Sequence, residues 1–425
     1  MKHVIIGNGP AGVVAAETIR KRRPQDEIAL IGDEPHPAYS RMAIPYLLIG
    51  DVDERGTYLR KDPGHFDRLR IRTVAGRVGA IETGARKVRL EEGPSLEYDR
   101  LLIATGSSPV RPPIPGLDSP FVHPCWTLQD ARRILALARP GARVLQMGAG
   151  FIGCIILEAL ARRGVSLAVV EMGDRMVPRM MGPGAGGMIK AWCESKGIRV
   201  KTSTRVEALE PAAPIRARFS DGGEEEFDLV IQATGVRPNI GFLAGSPVKA
   251  LQGVLTDERM RTSVEGVYAA GDCAEAYDPI TKRTIVSAIQ PNAVDQGHVA
   301  AVNMSGGDAI ANVVTQINVL DTLGLVSTSF GQWQGVPGGE HAELVDPARF
   351  RYLRLEFERD VLVGANSLGM TDHVGVLRGL IERGVRLGGW KDRLIEDPTR
   401  LMEAYLASAQ AQDRFQGRSR GTMRP

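Results

Sequence analysis

Two glycine-rich strings of the same form, Gly7-Asn8-Gly9-Pro10-Ala11-Gly12 and Gly148-Ala149-Gly150-Phe151-Ile152-Gly153, begin 141 residues apart in a chain of 425. Each follows a short apolar run (3–6 and 143–147). Each leads into a helical pattern (13–23 and 154–163) and then a second apolar run (27–31 and 165–170). Strand, glycine turn, helix and strand in that order make a βαβ unit. Its first glycine permits the tight turn, its second leaves room for a pyrophosphate against the backbone, and its third lets helix pack on strand. The helix N-terminus adds a positive dipole that favours the same anion. One such string is weak evidence, but two in the same context predict two dinucleotide sites.

Acidic residues choose the sugars. Glu171 stands 18 residues after Gly153, where a carboxylate accepts hydrogen bonds from a ribose 2′-OH and repels a 2′-phosphate. That favours NAD over NADP, while Arg175, four residues on, is the opposing feature because an arginine can welcome a phosphate. In the first unit Asp33 or Glu34 is the candidate ribose acceptor, and the other belongs to an ordinary solvated turn.

The remaining sequence echoes these units. Runs at 101–103 and 229–232 enter Ala104-Thr105-Gly106 and Ala233-Thr234-Gly235, and the run 266–272 ends at Gly271-Asp272. The proline-rich stretch 109–115 reads as an extended linker leaving the first unit, with a second crossing near 236–245. Beyond about residue 313 the pattern changes. The runs 352–357 and 361–365 alternate around Glu358-Arg359-Asp360 and predict a hairpin. An amphipathic helix at 374–383 closes on Gly384, and a last helix includes 401–406. The expected fold is α/β, with two nested doubly wound, Rossmann-like nucleotide-binding domains plus a C-terminal α+β domain. The expected boundaries are 1–115 and 239–312 for the first nucleotide domain and 116–238 for the second. Residues 313–395 form an interface domain and 396–425 a helix and basic tail.

Composition excludes several classes. Apolar residues make up 43% and charged residues 24%, a globular balance, and no apolar run approaches the roughly 18 residues of a membrane helix. A strand and glycine loop already under way by Gly7 leave no place for a cleaved leader, so a cytoplasmic location is expected. Cys125, Cys154, Cys193 and Cys273 fall in no C-x-x-C pair, and no histidine has metal-ligand spacing to another histidine or to a cysteine. This argues against a disulfide framework, a structural zinc or an iron–sulfur cluster within the chain. The net charge of +3 owes most to Arg414, Arg418, Arg420 and Arg424 in the tail, leaving a near-neutral body and no case for nucleic acid as a partner.

These motifs resemble the flavoprotein pyridine nucleotide–disulfide oxidoreductases. The resemblance is carried by both glycine loops, both Ala-Thr-Gly turns, Gly266-Val267-Tyr268-Ala269-Ala270-Gly271-Asp272 and Pro291-Asn292-Ala293-Val294-Asp295-Gln296-Gly297. It is strong over about residues 1–310 and weak beyond. It implies FAD in the first unit and NAD in the second. It also implies that Asp272 bonds the ribityl chain and that the helix entered near Gln296 points its N-terminus at the flavin's pyrimidine edge, tuning its potential. The implied cofactor-binding set is Gly7, Gly9, Pro10, Ala11, Gly12, Asp33, Glu34, Arg41, Ala104, Thr105, Gly106, Gly271, Asp272, Asn292 and Gln296, with Gly148, Gly150, Phe151, Ile152, Gly153, Glu171 and Gly235.

The departures from that family are as informative as the matches. Thiol-using members carry a redox cysteine beside the flavin, but in Tyr39-Ser40-Arg41-Met42-Ala43-Ile44-Pro45-Tyr46 the position holds Met42, and a thioether forms no disulfide or reactive thiolate. Many relatives pair a lysine near the flavin with a glutamate in the second nucleotide helix, and the matching positions are Tyr46 and Ile155. Tyr46 is a possible flavin neighbour, and no residue is assigned a covalent catalytic role. The resemblance points to the branch of ferredoxin and rubredoxin reductases and NAD-coupling flavoprotein subunits, such as those of carbon monoxide dehydrogenase or tungsten aldehyde oxidoreductase systems. The expected activity is hydride transfer between NAD(H) and flavin, with electrons passed to or from an iron–sulfur partner. A homodimer and a hetero-oligomeric complex are both open. The alternatives are a stand-alone NADH oxidase, a persulfide- or nitrite-type reductase, and a flavin-stabilised structural subunit.

Overall fold

The computed structural model describes residues 1–278, 282–311 and 317–408. The basic tail and the expected boundary at 312–313 lie outside the described residues. The chain divides into two compact units. The first comprises Met1–Pro112, Pro124–Ala136 and Thr234–Val314, and the second comprises Pro113–His123, Leu137–Ala233 and Thr315–Pro425.

In the first unit five parallel strands lie in the order Val267–Ala269, Arg100–Ile103, Lys2–Ile6, Glu27–Gly32 and Ile71–Ala75. The three inner strands are nearly unbroken apolar runs because both faces of the sheet are covered there, whereas Ile71–Ala75 at the edge carries exposed Arg72 and Thr73. Ile5, Ile28 and Leu30 pack under the helices Pro10–Arg22 and Gln290–Met304, with Ala15, Ile19, Ala300 and Ala301. Val4, Ile6 and Ile31 point the other way, onto Val88 and Leu96 of a small antiparallel meander, Val78–Glu82, Lys87–Leu90 and Leu96–Glu97. Lys2–Ile6 pairs with Glu27–Gly32 on one side and Arg100–Ile103 on the other. The strand order therefore reverses beside it, and the crevice at its carboxyl end is where such sheets take ligands.

The second unit repeats this plan around Arg143–Met147, in the order Arg199–Lys201, Ser166–Val170, Arg143–Met147, Leu229–Gln232 and Val122–Pro124. A second meander, Val206–Glu210, Ile215–Phe219 and Glu224–Phe227, covers one face through Phe219 and Phe227. Neither meander is apparent in the sequence: the strands are short and charge-rich, as in Glu224-Glu225-Glu226-Phe227. An antiparallel sheet follows, ordered Ile317–Thr322, Leu325–Gly331, Val361–Leu368, Arg351–Glu358 and Glu340–Asp346. The hairpin of Arg351–Glu358 with Val361–Leu368 turns at Arg359-Asp360, with Arg359 at φ +57°. The helix Val374–Arg383 ends on Gly384 in the left-handed region, as its sequence predicts. Within this unit the C-terminal sheet is tied to the nucleotide-type fold. Trp192 Nε1 donates to the Thr322 carbonyl at 3.1 Å, and Glu158 accepts from the Leu323 amide at 3.2 Å.

Two local readings shift. The glycine-loop helices begin at Pro10 and Phe151, three residues earlier than the apolar spacing suggests, because Gly9 and Gly150 are the N-caps and the loop itself supplies the first turn. The stretch expected as a linker from residue 109 is entered through a short strand, Ser107–Pro109, paired antiparallel with Val236–Pro238.

Candidate functional site

Each glycine loop has a crowded side and an open side. Gly7 sits at φ +111°, and a Cβ there would stand 2.0 Å from the Ala104 carbonyl oxygen. A Cβ on Gly12 would stand 1.9 Å from the Gly7 carbonyl oxygen, whereas one on Gly9 meets nothing within 4 Å. The second loop repeats the pattern: Gly148 is at φ +100°, a Cβ on Gly153 would approach the Gly148 carbonyl oxygen to 2.6 Å, and Gly150 faces open space. The helices behind Gly9 and Gly150 have no side-chain cap and no acid in the first turn. An uncompensated positive helix end facing open space beside a bare backbone suits a pyrophosphate. Phe151 and Ile152 are half-buried at the start of the second helix.

Around the first loop the structure gathers most of the expected residues. Gly271 donates its amide to Gln296 Oε1 at 2.8 Å, and Gly297 fits against Ala11 so closely that a Cβ would lie 2.4 Å from its carbonyl oxygen. That contact brings the starts of Pro10–Arg22 and Gln290–Met304 together, the second also uncapped and without an acid in its first turn. Asn292 at that start donates to Ser287 Oγ. Thr105 Oγ1 donates to the Asn239 carbonyl at 2.7 Å and Asn239 Nδ2 returns to the Thr105 carbonyl at 2.9 Å, riveting the Ala104-Thr105-Gly106 turn. Asp272 accepts from Ser107 Oγ at 2.8 Å. Burial raises its carboxyl above the usual range, against the pull of the Ser107 hydrogen bond and the Arg41 charge.

The two candidate ribose acids differ. Asp33 is half-exposed and pairs only at its Oδ2 with Arg77, at 3.0 Å. Both oxygens of Glu34 are engaged, by Arg41 Nη2 at 2.7 Å and the Tyr39 hydroxyl at 2.6 Å. Arg41 also donates to the Trp126 carbonyl at 2.7 Å and lies between the Tyr39 and Trp126 rings, 5.5 and 5.3 Å from their centroids. Trp126 Nε1 in turn donates to the Ser107 carbonyl, so Arg41, Trp126, Ser107 and Asp272 form one connected wall. Sequence reading misses Trp126 and Asn239. The available signal for the first is the reciprocal cap that follows it, Thr127 and Asp130 bonding each other's backbone amides. Met42 and Tyr46, on the turn and short helix after Arg41, are 47% and 56% exposed.

In the second unit Glu171 folds back on its loop. Oε2 accepts from the Ala149 amide at 2.7 Å and Oε1 from the Gly173 amide at 2.8 Å, so the carboxylate sits at the edge of the glycine turn with acceptor capacity to spare. Beneath the turn lies Gln146, fully buried, whose Nε2 donates to the carbonyls of Gly148 (2.9 Å) and Gly153 (3.0 Å), while its Oε1 meets no donor among the described residues. In the first loop Ile5 occupies this place. Gly235 ends the turn that follows Leu229–Gln232, the strand paired with Arg143–Met147; it stands at φ +101°, and its carbonyl accepts from the Val110 amide.

The cysteines are far from reactive. All four are buried, burial pushes the Cys125 and Cys193 thiols up to about 12, and it raises Cys154 and Cys273 as well. Cys273 points at the carbonyls of Ile103 and Ala270. Among the described residues, no helix is long and apolar enough to cross a membrane.

Comparison with known proteins agrees with this geometry. The profile of the pyridine nucleotide-disulphide oxidoreductase family matches residues 1–297. The epsilon subunit of NADH-dependent phenylglyoxylate dehydrogenase from Aromatoleum evansii is 31% identical over 403 residues, 93% of this chain and 95% of that one. An NADH oxidase from Methanocaldococcus jannaschii is 33% identical over 344 residues, 78% of this chain and 77% of its own length. The structure of an NAD-dependent persulfide reductase from A. fulgidus superimposes with a TM-score of 0.84 at 28% identity, covering 92% of this chain and 78% of that one. Two glycine cradles on two reversing parallel sheets, a family profile spanning both and relatives that use NAD(H) lead to one conclusion: the chain belongs to the pyridine nucleotide-disulphide oxidoreductase family, as an NAD(H)-dependent flavoprotein oxidoreductase that binds FAD and NAD(H).

Proposed function

We propose that this flavoprotein is the NAD-coupling subunit of a larger redox complex, passing a hydride between NAD(H) and FAD and electrons to or from an iron–sulfur partner. The observation that carries the reading is the missing thiol. Met42 stands where a relay thiol is needed, and the four cysteines are buried with raised pKa values, so none is a thiolate at neutral pH. Electrons that arrive as a hydride therefore have no protein acceptor in this chain. The nearly full-length match to a protein whose name makes it a dehydrogenase subunit supports a separate acceptor.

The contacts support the following roles. The first loop, Gly7 to Gly12, and the start of Pro10–Arg22 hold the FAD pyrophosphate, and Asp33, with one carboxylate oxygen uncommitted, takes a ribose hydroxyl. Glu34 orders Arg41 directly and through Tyr39, and Arg41, Ser107, Trp126 and Asp272 would line the middle of the bound cofactor. Gly148 to Gly153 hold the nicotinamide nucleotide's pyrophosphate, and Glu171 takes its adenosine ribose. When bound, FAD supplies exchange between two-electron and one-electron carriers. The protein's contribution is orientation and exclusion of water, with no covalent nucleophile. Residues 1–115 with 239–312 are the corresponding FAD domain, joined by 124–136, which carries Trp126; the rest of 116–238 is the NAD domain and 313–395 the interface domain.

A second reading, a stand-alone NADH oxidase, is favoured by the Methanocaldococcus relative. NADH turnover by the purified chain, with oxygen and with a [2Fe–2S] or [4Fe–4S] ferredoxin as alternative acceptors, separates the two. Fast ferredoxin reduction with slow oxygen uptake is the expected result, and oxygen uptake at least as fast as ferredoxin reduction overturns it.

A further inference from the structure

Arg175 stands four residues after Glu171, a place from which an arginine can accept a 2′-phosphate. Its guanidinium is instead spent on its own loop. Nε donates to the Met181 carbonyl at 2.9 Å, Nη1 pairs with Asp174 at 2.6 Å, and Nη2 reaches the Pro178 carbonyl at 3.4 Å. The stem lies against Gly186, where a Cβ would come within 3.0 Å of Arg175 Cβ and Cδ, so a bulkier residue there would displace it. The far end of this loop is held from elsewhere. Asn366, on the strand Val361–Leu368 of the C-terminal sheet, is 1% exposed. It donates Nδ2 to the Met180 carbonyl at 3.0 Å and accepts from the Gly182 amide at 3.2 Å. Met181, whose carbonyl anchors Arg175, lies between the two residues that Asn366 grips.

We propose that Asn366 is a specificity-determining residue for the pyridine nucleotide: by fixing residues 180–182 it keeps the Arg175 guanidinium on protein acceptors, and so makes an arginine-bearing loop selective for NAD(H). The physical reason is competition. A guanidinium binds a phosphate dianion more strongly than it binds a carbonyl, so Arg175 stays disarmed only while its carbonyl partner is held in place and Asp174 neutralises it. A side chain of the C-terminal sheet thereby acts on the nucleotide site without touching the nucleotide. The inference rests on Glu171 as the ribose carboxylate.

The test is calorimetric binding of NAD⁺ and NADP⁺ to the oxidised, FAD-loaded protein, which does not depend on turnover. Asn366→Ala is expected to shift the ratio of dissociation constants toward NADP⁺ by roughly tenfold, about one charge-assisted contact. The double variant Asn366→Ala with Arg175→Ala is expected to lose that shift. Asp174→Asn, at an exposed position that leaves the C-terminal sheet intact, is expected to move the ratio in the same direction. The inference is overturned if both single variants keep the ratio within twofold of the parent, or if the shift survives removal of Arg175. Glu171→Gln separates the underlying reading: an unchanged ratio there removes the ribose assignment and this inference with it. A changed ratio there with unchanged Asn366 and Asp174 variants removes the inference alone.

Discussion

Replacing Gly150 by valine tests the second cradle without disturbing the fold. Gly150 lies at φ −75°, ψ −172°, an extended conformation open to any residue, and a Cβ there meets no atom within 4 Å. Stability should fall by only about 0.5–1 kcal/mol, because valine is a poorer N-cap than glycine but no side-chain bond is lost. The new methyl groups would instead occupy the space that the pyrophosphate needs beside the loop amides. Losing one or two hydrogen bonds to a charged phosphate, at about 1.5–3 kcal/mol each, weakens binding by between roughly tenfold and roughly ten-thousandfold. Rapid-mixing measurement of flavin bleaching against NADH concentration should show a half-saturation raised by that factor, with visible absorbance still reporting a full complement of FAD. Gly153→Ala is the contrasting control: its Cβ would lie 2.6 Å from the Gly148 carbonyl oxygen, so the melting temperature falls along with affinity. A folded, FAD-loaded Gly150→Val protein with parental NADH dependence would refute the assignment of this loop to the nucleotide.

Three further outcomes follow from contacts in the first unit. Gly297→Ala places a Cβ 2.4 Å from the Ala11 carbonyl oxygen at a helix crossing, and should cost about 1–3 kcal/mol of stability, read by denaturant unfolding, together with FAD retention. Met42→Leu should leave NADH-dependent turnover within twofold, because no step uses the thioether, and a large loss would reinstate sulfur chemistry on that face. His3 is 1% exposed, and burial lowers its pKa below the ordinary 6.5 despite its bond to Asp26. The unfolded chain therefore binds the proton more readily, so stability should be complete above about pH 6.5 and decline as the pH falls through the window below it. His3→Gln should flatten that part of the stability profile, and an unchanged slope would show that His3 does not contribute.

What could be read from the chain alone was what local chemistry dictates. Gly7, Gly12 and Gly153 are demanded by contacts within a few residues or with an adjacent strand, so their spacing is visible as a motif. The turn at Arg359-Asp360 and the stop at Gly384 are equally local. Trp126, Asn239 and Asn366 were invisible for the opposite reason. Each acts through bonds to residues far away in sequence, at Arg41, Thr105 and Met180 with Gly182, and a lone polar or aromatic residue carries no pattern of its own. Arg175 was seen but not its direction, which depends on carbonyls at positions 178 and 181 that no side-chain alphabet records. Between Asp33 and Glu34, adjacent acids of the same charge, only the partners Arg77 and Arg41 distinguish a rim carboxylate from a structural one.

The two copies of the glycine motif rest on different foundations. Ile5 wedges the first against hydrocarbon, whereas the second is tied by one side-chain amide, Gln146, to the carbonyls of Gly148 and Gly153. Hydrocarbon contact strengthens on mild warming, while a turn held by two hydrogen bonds gains little and loosens as they stretch. On heating, the chain should let go of its pyridine nucleotide before its flavin, leaving a coloured protein that no longer answers to NADH.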